Sequence, residues 1–203
     1  MEEILSSGAE AVILRVDDVV IKRRISKGYR VKEIDNKIRK IRTKSEAKIL
    51  KRVFDVVNVP RVLDVDEKNF EIKMDFVNGE RLSVFLDIFD LKKQKKICFM
   101  IGEGVAKFHS EKVIHGDLTT SNMILKDGKV FFIDFGLGYF NGKYEDMAVD
   151  LHLLRQAFEA KHFRNWQCLF EFVKEGYLSV DKDDGEKVLK RFEAVERRGR
   201  YKH

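Results

Sequence analysis

At 203 residues and 44% hydrophobic content the chain can bury one substantial core or two small lobes, and no apolar run approaches the roughly 20 residues that span a bilayer. Met1-Glu2-Glu3 is the wrong start for a secretory signal. The two distant cysteines, Cys98 and Cys168, have no metal-like spacing and fit reduced thiols packed inside helices of a soluble cytoplasmic protein. The net charge of +6 is uneven: Lys22 to Arg52 holds fourteen Lys or Arg against three Asp or Glu, Lys187 to His203 holds seven against two, and the rest is left at −10. Such concentration suits a polyanion, nucleic acid first, or else a solvated helix face.

Ile4 to Val16 reads as a hairpin whose turn, Ser7-Gly8-Ala9-Glu10-Ala11, is small and polar. Backbone amides of such a turn can line up over phosphate oxygens, although a bare turn needs no ligand. The next strand, Val19-Val20-Ile21-Lys22, ends in a lysine. A basic helical stretch from Lys27 to Arg42 leads to Ala47, Ile49, Leu50 and Val53 at helical spacing. Glu46 has two readings there: a partner for Lys22, or the far end of a Thr43-x-x-Glu46 capping box. Pro60 leads out to two strands, Arg61 to Val65 and Phe70 to Met74, completing a five-stranded antiparallel sheet with one helix, a small α+β lobe. From Arg81 the pattern turns helical. Leu91 to Lys112 sets Ile97, Met100, Ile101, Val105 and Phe108 on one face, and helices follow at Asp146 to Ala160, around Trp166 and around Val188.

Between these helices lies Val113 to Gly138, where the apolar runs Met123 to Leu125 and Val130 to Ile133 flank Asp127-Gly128 as a hairpin. Asp117 and Asn122, five apart, precede the first run, and Asp134-Phe135-Gly136 follows the second. Three oxygen-bearing side chains thus gather at one end of a ribbon. A hard cation such as magnesium takes oxygen ligands and leaves room for phosphate and water, and one carboxylate remains to receive a proton.

His-Gly-Asp-x-x-x-x-Asn followed by Asp-Phe-Gly resembles the protein-kinase catalytic and metal-binding loops. The resemblance implies a bilobal protein-kinase-like fold binding ATP and Mg, with a catalytic base at Asp117 and metal ligands at Asn122 and Asp134. It implies that Ser7 to Ala11 cover the phosphates, that Lys22 reaches them, and that Glu46 holds Lys22. Asp75 C=O and Val77 N–H become hinge groups facing adenine. His115 and Asp150 support the catalytic loop, unless Asp150 is simply an exposed helix carboxylate. The departures matter too. Gly116 stands where many kinases carry a phosphate-gripping arginine, Thr119 stands where a lysine is usual, and only fifteen residues separate Asp134 from Asp150, so the peptide-substrate shelf is almost absent. The C-terminal lobe is therefore expected to be trimmed and mainly helical.

Gly-Ala-Glu-Ala in the first turn, Lys27-Gly28-Tyr29-Arg30, Arg-Thr-Lys-Ser-Glu-Ala, His-Gly-Asp-Leu-Thr-Thr-Ser-Asn, Ile-Asp-Phe-Gly-Leu-Gly and a terminal Arg-Arg-Gly-Arg resemble the small atypical serine/threonine kinase family of the KEOPS complex. The related RIO kinases use a similar His-Gly-Asp loop without an intact Asp-Phe-Gly. The family implies a stand-alone archaeal-type subunit that binds the KEOPS catalytic subunit and serves threonylcarbamoyl-adenosine formation in tRNA. It implies ATP hydrolysis or autophosphorylation on serine. The expected organisation is an N-terminal lobe over 1–77, a C-terminal lobe over 78–196 and a flexible basic tail over 197–203. In that tail Arg197, Arg198, Arg200 and Lys202 reach tRNA phosphates or the partner. The competing readings are a conventional kinase with a free substrate, a non-enzymatic ATP-switched scaffold, and a small-molecule kinase with an acidic pocket in its C-terminal lobe.

Overall fold

The computed structural model describes residues 3–200. Its first half is a five-stranded antiparallel sheet crossed by one long helix. Strands β1 (Glu3–Ser7), β2 (Ala11–Val16) and β3 (Val19–Arg24) run as consecutive hairpins. After helix α1 (Lys32–Val53) come β4 (Val62–Asp66) and β5 (Glu71–Asp75), and the spatial order is β1-β2-β3-β5-β4. Lys22 sits in the middle of this sheet, opposite Ile13 on β2 and Ile72 on β5. Because strand side chains alternate, Lys22 and Arg24 share one face, and both are buried beneath α1.

Helix α1 is one uninterrupted element of 22 residues. No glycine or proline interrupts it between Lys32 and Val53, so Thr43 lies buried in its interior and forms no capping box. The helix starts later than its basic composition suggests, because residues 27–30 close a turn in which Arg30 N–H donates to Lys27 C=O at 3.1 Å. Thr43, Glu46, Ala47, Leu50 and Val53 form its inward stripe.

The second half is mainly helical. A two-residue strand β6 (Glu80–Arg81) pairs with β7 (Met123–Lys126), which pairs with β8 (Lys129–Phe132). The turn between β7 and β8 has Asp127 at φ 49° and Gly128 at φ 72°, the two left-handed positions of a type I′ turn. Strand β6 is too short to leave an alternation in sequence. Helices α2 (Leu82–Phe85), α3 (Leu91–Ser110), α4 (Tyr144–Lys161), α5 (Trp166–Leu178) and α6 (Lys182–Arg200) complete the chain. Asp90 caps α3 by accepting from Lys93 N–H at 2.9 Å. Helices α3 and α5 meet backbone to backbone at Gly102 and Gly176, where an added Cβ would lie 1.9 Å and 2.0 Å from the carbonyl oxygens of Val173 and Phe99. Phe108, Phe132, Phe135 and Phe158 are the largest fully buried rings of the core.

Two expectations are corrected. Cys98 is buried, but Cys168 is exposed on the outer face of α5, where the neighbouring Leu169 and Phe170 take the inward positions. Of the expected flexible tail, residues 197–200 are instead the last turn of α6, which continues to Arg200 because Phe192 and Val195 still pack on the core and Arg198 pairs with Glu145 at 2.6 Å. Lys202 lies outside the described residues, as does the side chain of Arg200.

Candidate active site

Lys22 Nζ donates to Glu46 Oε1 at 2.7 Å and to Asp134 Oδ1 at 2.5 Å, joining β3, α1 and the segment after β8. The other Glu46 oxygen accepts from Arg24 Nη2 at 2.6 Å. Glu46 is 1% exposed and is paired with two cations from one strand face, the partners that a buried carboxylate needs. Asp134 adopts φ 63°, a left-handed conformation that aspartate tolerates, and its Oδ1 also accepts from Gly136 N–H at 3.1 Å. Burial alone would raise its pKa, but Lys22 and the Gly136 amide outweigh that and hold it below the usual carboxylate value.

The turn between β1 and β2 is tied down by charge. Gly8 N–H donates to Ala11 C=O at 3.0 Å, and Lys27 Nζ donates to Ala9 C=O. Glu10 faces Arg42 at 2.7 Å, Arg30 at 3.6 Å and Lys27 at 3.7 Å. The basic segment 27–42 thereby fixes the turn against α1.

The first two residues of the loop from His115 to Asn122 are held by hydrogen bonds to one carboxylate. Asp150 is buried on α4 and accepts from His115 N–H at 2.7 Å and Gly116 N–H at 2.9 Å. His109 Nε2 lies 3.3 Å from the same carboxylate, and His109 Nδ1 lies 2.9 Å from the Tyr177 hydroxyl. Burial would raise the Asp150 pKa, but His109 and the His115 amide lower it overall. His115 is fully buried, and burial pushes its pKa down. A neutral ring satisfies its neighbours: Nε2–H donates to Ile133 C=O at 3.1 Å, and Nδ1 accepts from Asp117 N–H at 3.3 Å. Gly116 is required where it stands. Its φ is 79°, and a Cβ would fall 2.5 Å from Leu137 C=O, which leaves no room for an arginine.

Asn122 ends a 3-10 turn, Thr120–Asn122, and its Nδ2 donates to Asp117 C=O at 2.9 Å and to Asp117 Oδ2 at 3.0 Å. Its backbone carbonyl accepts from Ile133 N–H at 3.0 Å, so Asn122 and Asp134 are set side by side. Two adjoining cavities open between the sheet and the helical half. One, of about 250 Å³, has apolar walls including Ile13, Val20, Met74 and Ile124, reaches the Asp75–Val77 segment, and ends at Lys22, Asn122 and Asp134. The other, of about 290 Å³, is bounded by the Gly8–Ala11 turn, Lys22, Asp117 and Asp134. Ser7 is exposed on β1 just outside them. Arg197 and Arg198 lie elsewhere, exposed on α6. Arg24 and Arg42 also line the second cavity and were missed in sequence. For Arg24 the signal is the strand alternation continuing two residues past Lys22.

Comparison with known proteins agrees with this architecture. The RIO domain family model matches residues 16–139, a span that holds Lys22, the His115-Gly116-Asp117 loop and Asp134-Phe135-Gly136. An intact Asp-Phe-Gly therefore does not set the chain apart from that family. KEOPS complex subunit Bud32 of Pyrococcus abyssi is 42% identical over 212 residues, covering 98% of this chain and 96% of that protein. The probable serine/threonine-protein kinase BUD32 homolog of Archaeoglobus fulgidus is 39% identical, covering 96% and 94%. The probable bifunctional tRNA threonylcarbamoyladenosine biosynthesis protein of Methanobrevibacter smithii is 39% identical across 100% of this chain, which spans 37% of that longer protein. Among solved structures, the gentamicin complex of APH(2″)-IIa superposes with a TM-score of 0.57 at 12% identity, over 95% of this chain and 90% of that one, a likeness of protein-kinase-like fold. The chain belongs to the RIO domain family and, within it, to the Bud32 proteins.

Proposed function

We propose that the chain is an ATP-dependent atypical serine/threonine kinase or ATPase that works as a KEOPS subunit and supports threonylcarbamoyl-adenosine modification of tRNA. The observation that carries this reading is the pair of adjoining cavities, sharing Lys22 and Asp134, around which Glu46, Asp117 and Asn122 also gather. The names of the relatives support the setting, and the long bifunctional relative supports a stable association with a second component. No described helix is long and apolar enough to cross a membrane, which suits work in the cytoplasm.

In this reading the lobes divide near 77/78, and adenine lies in the apolar cavity with Asp75 C=O and Val77 N–H at its edge. Amides of the turn from Ser7 to Ala11 and the Lys22 ammonium hold the phosphates, and Glu46 keeps Lys22 aimed. Among the described residues no three His, Cys, Asp or Glu side chains cluster as a metal cage. Two protein oxygens, from Asn122 and Asp134, fit magnesium, which takes its remaining ligands from phosphates and water. When bound, magnesium would offset charge on the β- and γ-phosphates. The depressed pKa of Asp134 keeps that carboxylate anionic for the task. Asp117 takes the proton from water or a serine hydroxyl as that oxygen bonds to the γ-phosphorus and the bond to the β,γ-bridging oxygen breaks, releasing ADP. His115 and Asp150 hold Asp117 in place. The short segment between Asp134 and Asp150 offers little surface for a free peptide.

Exposed Lys37, Lys44 and Lys48 on α1, with Arg197 and Arg198 on α6, are offered to tRNA phosphates. The test is ATP turnover with and without the KEOPS catalytic subunit and tRNA. Asp117→Ala and Asp134→Ala should each lower turnover by about 10²-fold or more. Either variant turning over ATP at the wild-type rate overturns these roles. Stoichiometric label transfer to unrelated proteins without the partner would favour a conventional kinase instead.

A further inference from the structure

Beneath the loop that carries Asp117 and Asn122, side chains from three separate elements form a polar row. Thr120, in the 3-10 turn Thr120–Asn122, places its Oγ1 3.0 Å from His162 Nε2. Thr120 and His162 are each 1% exposed. His162 caps the end of α4, where its N–H donates to Phe158 C=O at 2.8 Å and its ring rests against the Phe158 ring at 5.4 Å between centroids. On the far side, His162 Nδ1 is 3.1 Å from Asp87 Oδ1, at too bent an angle for a hydrogen bond. Asp87 belongs to the 3-10 turn Leu86–Ile88 that follows α2.

The chemistry assigns the protons. A carboxylate only accepts, so the ring proton is drawn to Nδ1 beside Asp87, and Nε2 then accepts from the Thr120 hydroxyl. An Asp-His-Thr order also occurs where a hydroxyl is activated for attack, but a hydroxyl that is 1% exposed beneath its own loop cannot meet a substrate. What the row can do is fix the loop. Thr119 C=O accepts from Asn122 N–H at 3.0 Å, so rotating Thr120 moves both ends of the turn, one toward Asp117 and the other at Asn122. Asp150 restrains the loop only at His115 and Gly116, before Asp117. Nothing else polar holds the Thr120 side chain among the described residues.

We infer that His162, which lies beside Asp87, is a positioning residue for the segment from Asp117 to Asn122 and acts through the Thr120 hydroxyl. This rests on the roles proposed for Asp117 and Asn122. It predicts a particular kinetic pattern, because misplacing a base and a metal ligand weakens interactions made in the transition state while the adenine cavity stays intact.

The experiment uses the full chain with Thr120→Val, His162→Phe and His162→Gln. Turnover is measured under the conditions that give the best wild-type rate, alongside nucleotide affinity, thermal midpoint and amide hydrogen exchange. Thr120→Val, which keeps the side-chain shape, and His162→Phe should each lower kcat about tenfold with KM for ATP within about twofold. Their double variant should be no worse than the worse single, since both break one contact. His162→Gln can accept from Thr120 and donate toward Asp87, and should recover most of the loss. Amides 117–122 should exchange faster in Thr120→Val than in the wild type while the α3 core is unchanged. Wild-type kcat and wild-type exchange in Thr120→Val overturn the inference, even if His162→Phe is too unstable to assay. Asp117→Asn separates the two claims. If that variant keeps full turnover the catalytic reading fails, and the exchange of amides 117–122 still decides the positioning role.

Discussion

The two halves of the cleft are held by different physics. On the sheet side, the groups are charges held by charges: Lys22, Arg24 and Glu46 form one network, which reaches across the cleft to Asp134 and in which each ion is another's counter-ion. On the helical side, the loop around Asp117 is held largely by neutral donors, with backbone amides and a neutral imidazole converging on the single carboxylate of Asp150 and on Ile133 C=O. A charge network can exchange partners when an anionic ligand enters. An amide network has nothing to exchange and stays put. Under the proposed function, Lys22 would adapt to the phosphates while the loop would be in place before they arrive.

Glu46→Ala should break the first half hardest, because it leaves the buried Arg24 without a carboxylate and Lys22 with Asp134 alone, and a loss of about 3–5 kcal/mol in urea unfolding is expected. Asp150→Ala should follow at about 2–4 kcal/mol, since it leaves the His115 and Gly116 amides unsatisfied. Lys22→Met should lose less, about 1.5–3 kcal/mol, because Arg24 remains on Glu46 and Asp134 is half-exposed. Equal losses for Glu46→Ala and Lys22→Met would mean that Arg24 is no second anchor.

Much of this arrangement can be read without coordinates, for local reasons. Asp127-Gly128 announces its hairpin because two consecutive left-handed residues need that chemistry, and the stripe of α3 announces its buried face. The Lys22–Glu46 contact was preferable to a capping box, since the capping reading left Lys22 unpaired, and the structure makes that contact at 2.7 Å. What could not be read depends on distant neighbours. Strand β6 exists only because β7 is beside it. The last turns of α6 look like a solvated basic tail until Glu145 supplies a partner for Arg198. Thr120 and His162 are 42 positions apart with no spacing to link them. Arg24 sits one alternation beyond the lysine that draws attention, inside a run whose charge suggests solvent.

The pH dependence sharpens the contrast further. Burial lowers the His115 pKa below its ordinary 6.5, so the unfolded chain takes up that proton first and stability falls as pH drops through 6.5 toward the folded value. The slope from this one group is at most about 1.4 kcal/mol per pH unit. Asp150 is held below 3.8, so its contribution is complete above that pH and is lost only as pH falls through its lower folded value. Between pH 6.5 and 5 His115 should therefore weaken the helical half, whereas Asp150 should not. Urea unfolding of His115→Gln should be flatter in that window than the wild type, and an unchanged slope would place the titration elsewhere.

The smallest effect belongs to the end of α6. Arg198 and Glu145 are both well exposed, and exposed pairs contribute about 0–1 kcal/mol, so Arg198→Ala should shift the thermal midpoint by no more than about 4 °C. Added salt should shrink even that difference. If the shift is larger and insensitive to salt, the terminal turns are packed onto the core by Phe192 and Val195 more tightly than their charge pairing implies. Those arginines would then present a fixed surface to a polyanion rather than an adaptable one. The salt dependence of tRNA binding should in that case lose about one unit of slope for each arginine removed.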